Sequence, residues 1–242
     1  MKKQFSVLPK LAALSVLAAF AAPVMAQQAG DNLVNVGWFH LKLQDSSETL
    51  RINGNPVPGS GAGVKDTDTL GVQLTHFFTD NIALSTDLGL PPKFKLNGEG
   101  TLSGVGQIGT AKQWSPAVVA KYYFGEPTSQ FRPYLGAGVT YVWYSDIKLN
   151  DSFQQSLSGI ISRGTSRGLK TSADLSSSWA PIANVGVVYN FDKNWSANFS
   201  LSYVPLKTKA DLTTQTPVGP VHSTTKLTLN PVVTFLSVGY RF

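Results

Sequence analysis

Alternation of apolar and polar residues, broken at regular intervals by polar connections of two lengths, most constrains what this chain can fold into. Eight ribbons carry it, at 33–43, 70–78, 82–90, 116–124, 131–144, 179–191, 195–206 and 232–242. Successive side chains of a strand point to opposite faces, so each ribbon has an apolar and a mostly polar side. The clearest is 195–206, with Trp195, Ala197, Phe199, Leu201 and Tyr203 against Ser196, Asn198, Ser200 and Ser202. The connections run long, short, long, short, long, short, long. A soluble sandwich has no reason for that regularity. An outer-membrane barrel has short turns at its inner end, longer loops outside and an even number of strands. Its sheet must close, because open edges find no water in lipid. The last ribbon sets Leu236, Val238, Tyr240 and Phe242 against Ser237, Gly239 and Arg241, and is expected to seal against the first. Aromatics gather beside the short turns (Phe77, Phe78, Tyr122, Tyr123, Phe124, Phe131, Tyr189, Phe191, Trp195, Tyr240, Phe242), where an interfacial girdle belongs. The fold expected is all-β: an eight-stranded antiparallel transmembrane β-barrel with long outer loops and short periplasmic turns.

The first segment, 1–26, is expected to be an export signal and 27–242 the barrel. Lys2, Lys3 and Lys10 precede an apolar run at 11–22, and Val24-Met25-Ala26 supplies a small-residue cut site. Such a run is too short to cross a hydrocarbon core of ~30 Å. The formal charge of +6 loses those three lysines and becomes +3, which argues against nucleic acid as a partner. Cysteine is absent from the sequence, which removes disulfides and thiol chemistry. The three histidines, His40, His76 and His222, lie in unrelated segments and form neither a metal-ligand spacing nor a recognisable catalytic motif. The chain is read as neither an enzyme nor a cofactor or metal binder.

Two irregularities stand out. In the first ribbon, Val34, Val36 and Trp38 oppose Asn35 and Gly37, but Phe39, Leu41 and Leu43 then make the second face apolar too. A bulge would do this, and so would an interior that turns apolar towards the far end. Among the long connections, 44–68 is rich in Gly and Pro and reads as a loop that no strand would tolerate. In 145–178, Phe153, Leu157, Ile160 and Ile161 recur at helical spacing behind Asn150 as an N-cap. That short helix either covers the barrel mouth or serves a receptor.

The run Trp114-Ser115-Pro116-Ala117-Val118-Val119-Ala120-Lys121-Tyr122-Tyr123-Phe124-Gly125, then Phe131-Arg132-Pro133-Tyr134-Leu135-Gly136-Ala137-Gly138, resembles the outer membrane protein W (OmpW) family. The closing Ser237-Val238-Gly239-Tyr240-Arg241-Phe242 is similar to it as well. The resemblance implies an outer-membrane protein that, like its AlkL-type relatives, takes up small hydrophobic molecules. It implies a narrow interior, apolar towards the outer end, from which the solute leaves sideways into membrane lipid. It also implies that Val238, Tyr240 and Phe242 are read by the barrel assembly machinery. Channel-lining candidates are Phe39, Leu41, Leu43 and Trp179, the last where the family carries a channel-associated tryptophan; an interfacial anchor is its other reading. Asp87 falls on the inward parity where relatives are apolar, so it needs Lys121 or Arg132 as partner, or the register is off by one. Proline lacks the N–H donor, so Pro91, Pro92, Pro116, Pro181 and Pro205, near the outer strand ends, are candidates for interrupting the ladder; the plainer reading of any one of them is that it merely ends its strand. The alternative is a structural or adhesive barrel with a plugged lumen and ligand-binding loops. The sequence sets neither the solute nor the oligomeric state.

Overall fold

The β1 strand (Asn32–Lys42) and β8 (Val232–Arg241) pair over their whole length, from Leu33 opposite Arg241 to Lys42 opposite Val232. Below that ladder the backbones of Asn32 and Phe242 exchange hydrogen bonds of 3.2 and 3.0 Å, and the Arg241 guanidinium meets Asp31 at 2.9 Å. This seam is the one the closing ribbon was expected to make. The coordinates are a computed structural model describing residues 27–166 and 168–242; the expected export signal lies outside the described residues. The other barrel strands are β2 (Thr67–Phe77), β3 (Ile82–Gly89), β4 (Ala117–Tyr123), β5 (Phe131–Leu149), β6 (Ser178–Asn190) and β7 (Trp195–Tyr203). The sheet runs β4-β3-β2-β1-β8-β7-β6-β5, and β5 pairs back to β4, closing an eight-stranded antiparallel barrel. No helix among the described residues is long and apolar enough to cross a membrane.

The short connections are built on side-chain caps. The Asp192 carboxylate accepts the backbone N–H of Asn194 and of Trp195, each at 2.8 Å, and these bonds hold it below the ordinary carboxylate range. The outer face is apolar: Val36, Leu74, Leu84, Val118, Leu135, Val185, Leu201 and Val238 are exposed. Phe78, Phe124, Phe131, Phe191, Trp195 and Phe242 ring its lower end, and Trp38, Trp114, Trp179 and Tyr203 its upper end, all exposed. From Trp179 to Tyr189 on β6 is about 25 Å along the barrel axis, for a ~3.3 Å rise and a ~40° tilt, which matches the apolar band of such barrels. Phe77 and Tyr123 depart from the expected girdle. Both are almost fully buried and point inward.

Above the upper ring the long connections are not irregular. The upper part of β5 pairs with Gln107–Trp114, which pairs with Lys93–Gly100 and then Ser60–Val64. A second sheet joins Thr171–Leu175, Lys207–Thr216 and Gly219–Thr228 to short pieces of 46–56. The expectation that 44–68 could hold no strand is therefore wrong. The Gly- and Thr-rich segments still present small or apolar residues to one side, as Ala62, Ala210, Leu212 and Leu227 do, and that suffices for a half-buried sheet in water. Helix α1 (Asp151–Ile161) forms as expected and buries Phe153 and Leu157 between the two sheets. Asn150 occupies its N-cap position, but its side chain instead donates to the Gln107 carbonyl at 2.9 Å.

Candidate functional site

The barrel interior falls into a filled lower half and an apolar upper half. At the bottom, Phe77, Ala83, Tyr123, Tyr134 and Val188 form one buried cluster. Arg132, fully buried, lies 5.4 Å from the Tyr123 ring centre and donates to the carbonyls of Gln27 (2.7 Å) and Asp80 (2.6 Å). Gln27 in turn donates to the Asn190 side chain at 3.3 Å, so the start of the described chain is tucked into the base of the barrel. The Tyr134 hydroxyl donates to Asn198 at 2.9 Å. Its ring fits because Gly186 lies opposite: a Cβ there would meet the Tyr134 hydroxyl at 2.5 Å.

Above this cluster comes a polar layer. The Lys121 ammonium lies 4.7 Å from the Tyr134 ring centre and donates to Gln73 Oε1 at 2.9 Å; Gln73 Nε2 donates to Asp87 Oδ1 at 2.7 Å. Asp87 is thus on the inward parity, and the register is not shifted. It meets Lys121 through Gln73, while Arg132 lies in the cluster below. A carboxylate and an ammonium bridged by an amide avoid the cost of either charge alone in the interior.

On that floor stands a cavity of about 860 Å³, counting its open mouth. Phe39 and Leu41 from β1 line it with Val142, Ile182, Val204, Leu206 and Phe235, and Asp87, Thr140 and Ser200 form its polar base. Both ladders of β1 are unbroken, so no bulge explains its apolar second face. The interior itself turns apolar. Phe39 stacks on Phe235 directly opposite, ring centres 4.0 Å apart, and Gly71 makes the room, since a Cβ there would stand 2.6 Å from the Phe39 ring. Further out, a second cavity of about 670 Å³ is walled by Leu50, Ala62, Leu102, Phe153, Leu212 and Leu227. Leu43 packs against the same apolar cluster, which runs without interruption from Phe153 and Leu50 down to Val142 and Ile182.

The prolines divide. The β3–β4 ladder stops at Asp87 opposite Ala117 and resumes only at Lys93 opposite Lys112; a single backbone bond, Gln113 N–H to the Pro92 carbonyl at 3.1 Å, falls between. Pro91, Pro92 and Pro116 all sit in this interruption. Gly89, Leu90 and Pro92 on one side of it and Gln113, Ser115 and Ala117 on the other line the inner cavity, so the cavity reaches the wall where its ladder is interrupted. On its other side Pro116 still accepts from the Tyr141 N–H (3.3 Å) and the Thr140 hydroxyl (2.9 Å), which keeps β4 tied to β5. Pro181 does not interrupt its strand: β6 runs through it, paired with Val139 on one side and beyond the end of the β7 ladder, Ala183–Tyr203, on the other. Pro205 lies where the β7–β8 hairpin passes into the outer sheet, and there buried Ile182, Val204 and Leu206 fill the wall.

Trp179 is not in the lumen. It is 72 % exposed, on the outward parity of β6 with Pro181 and Val185, and its ring packs 4.9 Å from Tyr141 in the upper aromatic ring. Its place is with the exposed aromatics of the upper ring, not among the lining residues. Sequence reasoning missed Val142, Ile182, Val204, Leu206 and Phe235, although each shares the inward parity of its ribbon, as Phe39 does. The histidines are far apart: His40 meets Asp68 at 2.8 Å, His76 meets Asn32 at 2.9 Å, and His222 approaches Thr213 at 3.4 Å.

Known proteins share this arrangement. The outer membrane protein W of Vibrio cholerae is 34% identical over 95% of this chain and 97% of its own length. The outer membrane protein AlkL of Ectopseudomonas oleovorans is 25% identical over 88% of this chain and 83% of its own. The crystal structure of the outer membrane protein OprG from Pseudomonas aeruginosa superposes with a TM-score of 0.78 at 25% identity, covering 90% of this chain and 99% of that one. The sequence model described as the OmpW family matches residues 28–242, and this chain, an outer-membrane β-barrel, belongs to that family.

Proposed function

We propose that the protein admits small hydrophobic molecules from outside through the apolar extension and the inner cavity, and releases them sideways into the membrane between β3 and β4. One observation carries this reading: an apolar cavity meets an interrupted ladder in the barrel wall directly above a lumen filled with side chains. Burying an apolar solute is favourable by about 25 cal/mol per Å² of surface removed from water, so no energy source is required. Exit into lipid keeps that surface out of water throughout, whereas exit downwards meets Asp87, Lys121 and Arg132. Gly89, lacking a side chain, and exposed Leu90 edge this opening, while the break near Pro205 is packed shut. The polar base suits a solute with an apolar body and a hydrogen-bond-donating end better than an anionic one, since the Asp87 carboxylate faces it. Membrane lipid, such solutes and the barrel assembly machinery are the partners of this reading. The test is uptake of a labelled apolar compound by cells expressing the protein, with a Gly89→Cys/Ser115→Cys variant beside it. The native chain should raise uptake, cross-linking the two thiols should return it to the level of cells lacking the protein, and reduction should restore it. No gain from the native chain sinks the transport reading; a gain that cross-linking leaves intact sinks the lateral exit. A plugged adhesive barrel draws on the same filled lower half, but it gives no account of the cavity's contact with the open wall.

A further inference from the structure

The outward face of the sheet above the β3–β4 opening carries five lysines in register. Lys93 stands directly opposite Lys112, which stands opposite Ser145 on β5. One step outward, Lys95 and Lys148 flank Thr110, and the Lys65 N–H donates to the Lys95 carbonyl at 3.1 Å, which extends the row. The other face of this sheet, with Phe94, Ile108 and Ala111, is buried, so the lysines look away from the protein. A single carboxylate serves them. Asp146, held at φ 51° where β5 bulges between Ser145 and Lys148, ion-pairs with Lys112 and Lys148, each at 3.3 Å; both ammoniums hold it below the ordinary carboxylate range. Among the described residues, Lys65, Lys93 and Lys95 have no ion-pair partner. Like charges directly opposite on a sheet repel, and Asp146 offsets this on the Lys112 side only, leaving Lys93 without a counter-charge.

The depth of the face says which anion. Trp114 and Trp143 stack 5.9 Å apart in the upper aromatic ring, and Lys112 and Ser145 are two residues further out on the same strands. That is about 5 Å beyond the ring, at the level of lipid head groups. We propose that this lysine face binds the phosphate groups of the outer leaflet's phosphorylated glycolipid. Lysine suits the task as a compact charge with freely turning donors, and the patch has more ammoniums than its one carboxylate can neutralise.

The full-length protein, folded in detergent micelles, is offered bisphosphorylated lipid A or the same lipid with both phosphates removed, and bound lipid is counted by native mass spectrometry. The native chain should retain the phosphorylated lipid and not the dephosphorylated one. Replacing Lys93, Lys95, Lys112 and Lys148 together by Gln should reduce retention roughly tenfold or more, as expected when several surface cations are lost. Asp146→Asn, which leaves the lysines and removes the one anion, should raise retention, so the outcome does not hang on the fourfold variant folding. Equal retention of the two lipids by the native chain, or weaker retention by Asp146→Asn, overturns the proposal. Solute uptake does not enter the measurement, so its failure leaves the transport reading untouched.

Discussion

Arg132 is a charged side chain with no exposed surface, held by two backbone carbonyls and an aromatic ring, with its Nε left without a partner. Replacing it with Leu leaves those carbonyls without a donor and should destabilise the barrel by about 2–4 kcal/mol, read as a lower urea midpoint for the folded form. Uptake per folded molecule should not fall, because the cavity lies above it. Asp192 acts through pH instead. Its folded-state pKa is depressed by two backbone N–H groups, so it adds stability that is complete above the ordinary carboxylate range and is lost as pH falls through the depressed value. Unfolding midpoints measured from neutral to strongly acid pH should show this loss in the native chain. Asp192→Asn should show a smaller acid-side drop. The folded-state cap, not the ordinary carboxylate titration, sets the lower end of that window.

Helix α1 and the two outer sheets share an apolar core that includes Phe153 and Leu157, whereas the barrel is held by its own closed ladder. Phe153→Ala should therefore loosen the extension while the barrel stays folded. Emptying a buried aromatic site costs about 3–5 kcal/mol, and the result to look for is protease nicking within 145–178 and 207–230 with the barrel strands protected. At this scale the barrel was legible and the extension was not. Period-2 alternation across lipid is a strict code: lipid demands an apolar outer face at every position, so 195–206 and 232–242 could be read residue by residue. The outer sheets stand in water, where Thr, Gly and Ala serve on either face, and segments such as Ser60–Val64 resemble loops in composition. The cavity was legible only where apolar residues broke the alternation conspicuously, as Phe39 and Leu41 do. Ile182 and Phe235 share the inward parity but sit in ribbons apolar enough to hide them. For Trp179, parity with Val185 pointed outward, and the placement implied by family resemblance was the weaker guide.

The whole molecule is closed by one seam, β1 against β8, ending in the reciprocal bonds of Asn32 and Phe242. Deleting Phe242 removes those bonds and the terminal aromatic of the lower ring, and should reduce the amount of folded protein in the outer membrane several-fold. Uptake normalised to folded protein should stay unchanged, since the cavity is at the opposite end; a fall in that normalised value would place Phe242 in transport rather than assembly. The filled lower half has a consequence for the cell as well. Ions and water-soluble antibiotics descending the barrel meet Lys121, Tyr134, Phe77 and the Arg132–Gln27 contact before they reach the periplasm. Many copies are therefore expected to stand in the outer membrane with its electrical resistance and its exclusion of hydrophilic drugs unchanged.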